Sequence, residues 1–116
     1  MATDPALLRA LREALGSDSV LSAAESCVAF ECDALTAHRR TPDLVVLPAS
    51  TGEVQSVLRI AAAHGTPVVA RGAGTGLSGG ALPVVGGLLL VLSKLDRILE
   101  IDPARRIARV QPGVTN

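Results

Sequence analysis

The sequence predicts an α/β protein: a small parallel β-α-β subdomain, followed by the start of a second, antiparallel subdomain. Three observations carry this. Two apolar runs without alternation, Leu44-Val45-Val46-Leu47 and Leu88-Leu89-Leu90-Val91-Leu92, suit strands covered on both faces, as parallel sheets require. Between them Ser50-Thr51-Gly52-Glu53 has the form of a capping box opening an amphipathic helix. Near the end, Ile98-Leu99-Glu100-Ile101 and Arg106-Ile107-Ala108-Arg109-Val110 flank the turn-rich Asp102-Pro103-Ala104-Arg105, a hairpin pattern.

Taken in order, Thr3-Asp4-Pro5 starts a helix with a capping side chain and a proline in its first turn. Leu7, Leu8, Leu11 and Leu15 follow at helical spacing, and Gly16 stops it. From Ser17 to Pro42 the apolar residues fit no single period. Within that stretch Phe30-Glu31-Cys32-Asp33 reads as a solvated turn and His38-Arg39-Arg40 as a solvated basic face. The residues 1–41 form a helix and lead-in, and 42–116 the principal domain. After the first buried strand, Val54, Val57, Leu58, Ala61 and Ala62 mark one helix face. Gly65 ends this helix, with His64 in its last turn where the helix dipole favours a cation. Pro67 opens the next strand. Strand, helix and strand imply a parallel pair with a right-handed crossover. The alternating second run of the hairpin implies half-burial. No closing element covers the hairpin, so the chain reads as a fragment, with a subdomain boundary near Ser93.

Composition narrows the function. The chain has 116 residues, 48% of them apolar, and a net charge of zero; Phe30 is its only aromatic. A nucleic-acid binder would show a basic footprint and stacking platforms, and both are missing. No apolar run is long enough to span a bilayer, and no export signal is evident. Cys27 and Cys32 are too few for a metal set and are expected as free thiols in a reducing compartment.

The chemistry lies in Arg71-Gly72-Ala73-Gly74-Thr75-Gly76-Leu77-Ser78-Gly79-Gly80. Clustered glycines let backbone N–H groups converge without Cβ atoms in the way, which forms an anion-binding concavity. The stretch leaves the carboxyl end of a parallel strand, where ligands of open α/β sheets bind. Gly74 to Gly79 matches G-x-G-x-x-G, yet Gly79-Gly80 and Pro83 oppose the helix that a dinucleotide fold needs behind its glycines. A Walker loop lacks its Gly-Lys-Ser/Thr. The loop is therefore expected to hold a pyrophosphate with amides alone. Arg71 is either a phosphate contact or a brace for the loop.

These residues resemble a known family. Pro42 to Pro48, Pro67 to Ala81 and Val110 to Val114 are similar to the FAD-binding domain of the vanillyl-alcohol-oxidase, or PCMH-type, flavoproteins, in the branch with the glycolate oxidase FAD subunit and D-lactate dehydrogenases. The resemblance runs from about Phe30 to the end. It implies two α/β subdomains with FAD between them. By the same resemblance Arg71, Gly72, Ala73, Gly74, Thr75, Gly76, Leu77, Ser78, Gly79 and Gly80 form the pyrophosphate loop, with amides of Gly72 to Gly76 on the phosphates. Pro48, Pro112 and Gly113 line the cofactor cleft. Covalently flavinylated relatives carry histidine where this chain has Thr75, so FAD is expected to be non-covalent. Phe30 stands where relatives commonly carry tyrosine. The implied reaction is oxidation of a 2-hydroxy acid, with catalytic residues beyond Asn116. The implied setting is cytoplasmic, peripheral to the inner membrane through partner subunits that include an iron–sulfur protein. The fragment alone is expected to be inactive. A non-catalytic phosphate-binding module and a Rossmann NAD enzyme are the competing readings.

Overall fold

A computed structural model describes residues 3–34 and 36–115. Helix α1, Pro5–Leu15, starts where Asp4 accepts a hydrogen bond from the Ala6 amide, and it ends at Gly16, whose φ of 90° suits glycine. Its leucine stripe turns Leu7 and Leu11 into the core. The unreadable stretch then supplies a 3-10 turn at Ser17–Ser19, a short strand β1 (Val20–Leu21), helix α2 (Ala24–Cys27) and a second 3-10 turn at Val28–Phe30. Two-residue strands and single-turn helices leave no periodicity to detect, which is why this part escapes sequence reading.

Strand β2 is Leu44–Val46, helix α3 Thr51–Ala63, β3 Val68–Arg71 and β4 Leu88–Val91. They form one four-stranded sheet in the order β1-β2-β4-β3. Strands β2 and β3 both run parallel to β4, whereas β1 pairs antiparallel with β2. The expected strand–helix–strand unit is present, but its two strands are not neighbours: β4 lies between them. Four consecutive buried residues make β4 the best candidate for the centre, and the less buried β3 takes the edge.

Alternate residues of β2 and β4 face two cores. Leu44, Val46, Leu88 and Leu90 join Leu7, Leu11 and Val57 beneath α1 and α3. Val45, Leu89 and Val91 pack with Cys27, with Phe30, Leu47 and Val69 at their margin. Each buried leucine contributes roughly 1.5–3 kcal/mol relative to exposure. The Cys27 thiol is pushed up from its ordinary pKa by burial and secondarily by the nearby Asp43 charge, so it stays protonated and unreactive. Both cysteines are free.

Helix α3 begins as expected: the Ser50 hydroxyl accepts from the Glu53 amide. The returning Glu53 carboxylate, however, accepts from Ala49, one residue ahead of the cap. Its buried face is also rotated from the expected one. Val57 and Ala61 are buried and Val54 and Ile60 flank them, whereas Leu58 is 46% exposed. Contact with α1 selects that face. His64, at the end of α3, reaches back to Asp4 at 3.0 Å, tying the two helices together.

The antiparallel hairpin is present as β5 (Ile98–Asp102) and β6 (Ile107–Val110), with an irregularity between Ile98 and Glu100. The expectation of half-burial is corrected: Ile98, Leu99, Ile101, Ile107 and Val110 are all exposed. No layer of the described chain covers either face. No helix of the described residues is long and apolar enough to cross a membrane.

Candidate cofactor site

The parallel strands set the site. The carboxyl ends of β2, β3 and β4 lie on one edge of the sheet, and every expected cofactor residue follows one of those ends or returns to it. Pro48 comes just after β2, the glycine stretch leaves β3 at Arg71, and Gly113 packs against the chain that follows β4.

Residues 72–87 link β3 to β4 without regular structure; no helix begins at Gly79 among the described residues. This removes the structural requirement of a Rossmann site. Positive φ values at Gly74 and Gly79, 72° and 71°, turn the loop where a side chain would be strained. A Cβ on Gly74 would also run into the Arg71 guanidinium, whereas Gly76 and Gly80 face open space. Among the described residues, the amides from Ala73 to Ser78 donate no hydrogen bond to the protein. A run of open donors in a concave loop suits an anion with several oxygens.

The opposite wall is the tail of the hairpin. The Gly113 amide donates to the Leu95 carbonyl at 2.8 Å. A Cβ at this position would clash with the carbonyls of Leu92 and Leu95, so only glycine allows the approach. Pro112 is thereby brought beside Gly72. Ala73, Thr75, Pro112, Gly113, Val114 and Thr115 together line a cleft of about 440 Å³. The fold thus unites both ends of the expected set. Leu77 and Ser78 are exposed on the loop but do not line this cleft, and neither does Pro48, which is fully buried.

Arg71 takes the bracing role of its two alternatives. Its Nη1 donates to the Cys32 carbonyl at 2.7 Å, and the guanidinium stacks 5.7 Å from the Phe30 ring centroid. The segment Phe30 to Asp33, expected as a solvated turn, is instead the support of the loop. Asp33 is 5% exposed and accepts from the Gly79 amide at 2.8 Å, while Ala34 donates to the Gly76 carbonyl at 3.1 Å. Sequence reasoning missed Asp33. A carboxylate between a cysteine and an alanine carries no local signal for a partner 46 residues away.

The basic cluster stays solvated. His38, Arg39 and Arg40 are exposed, and Arg39 pairs with Glu31 at 3.0 Å. His64 is tied to Asp4, the N-cap of α1, and not to the loop. No group of metal-ligating residues occurs among the described residues.

Residues 42–116 match the FAD binding domain family. The chain is 49% identical over 110 residues to the glycolate oxidase subunit GlcD of Escherichia coli, covering 95% of this chain and 22% of that protein. A D-lactate dehydrogenase of Archaeoglobus fulgidus is 41% identical over 86 residues, 73% of this chain and 19% of that protein. Among solved structures, p-cresol methylhydroxylase superposes with a TM-score of 0.81 at 28% identity, covering 95% of this chain and 22% of its own. The chain therefore spans about a fifth of the length of these relatives, and within that span it belongs to the FAD-binding domain family of PCMH-type flavoproteins.

Proposed function

We propose that this chain is the N-terminal FAD-binding portion of a flavin-dependent 2-hydroxy-acid oxidoreductase of the glycolate oxidase or D-lactate dehydrogenase type. The observation that carries the reading is the run of open amides from Ala73 to Ser78, of which Ala73 and Thr75 line a cleft shared with Pro112 and Gly113. Those donors fit a pyrophosphate, and the chain that carries them is 49% identical over 110 residues to the glycolate oxidase subunit.

In this reading the amides from Gly72 to Gly76 hold the phosphates, and the Ser78 hydroxyl serves a phosphate or ribitol oxygen. Pro112 and Gly113 form the second wall. Pro48 acts from below, by fixing the strand end on which the cleft rests. When bound, the flavin supplies the two-electron acceptor for the substrate carbon–hydrogen bond. The residues of this chain bind and orient it. None of them is assigned to proton transfer; those groups belong to the remainder of the protein. Thr75 offers a hydroxyl where covalent attachment uses an imidazole, so the cofactor is held without a bond. By analogy with the glycolate oxidase subunit, the protein works in a complex, and an iron–sulfur subunit receives its electrons.

The test uses the full-length protein. It should purify with a flavin absorbance band, release that flavin into the supernatant on acid precipitation, and bleach under anaerobic glycolate or D-lactate. A colourless protein that does not take up added FAD sinks the cofactor assignment. Flavin retained in the acid pellet sinks the non-covalent one.

A further inference from the structure

We propose that Asp33 is a positioning residue for the cofactor loop, the anchor of a clasp formed by Phe30 to Ala34. The inference rests on the reading of Ala73 to Ser78 as the phosphate-binding amides. Residues 72–87 have no ladder or helix to hold them, and their internal hydrogen bonds occur only late, from Leu82 to Gly79 and from Gly87 to Val84. Glycines make such a segment entropically costly to order. What fixes it comes from the lead-in. Arg71, at the root of the loop, is held by the Cys32 carbonyl and the Phe30 ring. Gly76, within the run of open amides, is held through its carbonyl by the Ala34 amide. Gly79, just past the run of open amides, is held by Asp33.

The chemistry of the third contact sets Asp33 apart. A buried carboxylate accepting from an amide makes a charge-assisted bond, stronger than a neutral one. It meets Gly79 at one of the three glycines with positive φ between residues 72 and 87, so it pins the turn that follows the run of open donors. A negative charge so close to a pyrophosphate site is unfavourable for the anion itself. It is tolerated because it points at the backbone of the loop, and Arg71 places a positive charge in the same clasp. The role is to organise donors before the ligand arrives, which lowers the ordering cost of binding.

The experiment compares Asp33→Ala and Asp33→Asn with the wild type in the full-length protein. It measures FAD affinity of the apoprotein by calorimetry, Tm, and amide exchange of the loop without FAD. The Ala variant should weaken FAD binding about tenfold and speed exchange at Gly79. The Asn variant keeps an acceptor oxygen and should fall between Ala and wild type on both measures. Wild-type affinity in the Ala variant would overturn the proposal, as would losses that follow Tm while loop exchange stays unchanged. If the Ala variant does not fold, the wild-type apoprotein decides. A Gly79 amide exchanging as fast as those of Ala73 to Ser78 overturns the anchor, and a protected one with intermediate Asn behaviour supports it. Failure of the wild type to bind FAD would instead remove the functional reading, and the exchange comparison would still report whether Asp33 holds the loop.

Discussion

Strand β4 and the β5–β6 hairpin are both rich in aliphatic residues, and they end in opposite surroundings. Leu88 to Val91 are buried without exception, while the aliphatic residues of the hairpin are exposed, Ile101 by 65%. The strands differ in neighbours more than in composition. β4 has a parallel partner on each edge, α1 and α3 over one face, and the Cys27–Phe30 region over the other. The hairpin has only its own two strands and a tether at its base, where Gln111 and Arg97 bond to each other. Burial is a property of the layer above a strand, and a strand pattern cannot say whether that layer is present.

Core truncation should separate the two regions most strongly. Leu89→Ala leaves a cavity in the second core and should cost about 2–5 kcal/mol. In the 116-residue chain, where the described residues leave the hairpin uncovered, Ile101→Ala should change stability by no more than about 0.5 kcal/mol. Urea unfolding of both variants measures the contrast, and comparable losses would mean that the hairpin is covered in solution.

The junction between the two regions comes next. Gly113 is where the hairpin tail closes on the chain after β4, and Gly113→Ala forces its Cβ against backbone carbonyls. An overpacked contact of this kind should cost about 1–3 kcal/mol. It should also displace Pro112 to Thr115 from the glycine loop, weakening FAD more than it lowers Tm. An Ala variant with unchanged FAD affinity would show that the second wall of the cleft contributes nothing.

The smallest effect is expected at Asp4. The Ala6 amide, and then the His64 side chain, hold its carboxyl below the ordinary 3.8. A depressed folded-state pKa gives stability that is present above the unfolded-state value and is lost as pH falls through the folded one. Asp4→Asn retains a good N-cap and should flatten this acid limb, so the wild-type advantage shrinks below about pH 4. Melting curves from pH 6 to pH 2 that remain parallel for both proteins would show that the contact adds no stability.

Much of the fold was legible because its signals are local. The caps at Asp4 and Ser50, the stops at Gly16 and Gly65, and the unbroken runs of β2 and β4 each declare themselves within a few residues. The glycine stretch stood out for the same reason: five glycines within ten residues are a local signal. Three features were not legible. The strand β1 is too short for a period. The rotation of the α3 face depends on α1, and Leu58 cannot be told from Ile60 without it. The clasp under the loop depends on Asp33 meeting Gly79, and nothing near either residue announces the other.

The sequence by itself determined the class of fold, the strand from which the loop departs, and the family to which that loop belongs. The first two follow from local backbone preference and from the period of apolar residues, which each segment carries alone; the family follows from the resemblance of the quoted motifs. Tertiary structure decided that β4 divides β2 from β3, that Arg71 braces the loop, and that Phe30 to Ala34 hold it from below. It also brought Pro112 and Gly113 across from the glycines to make a cleft. Each of these is a contact between segments distant in the chain, and such contacts exist only once the sheet has set the segments side by side.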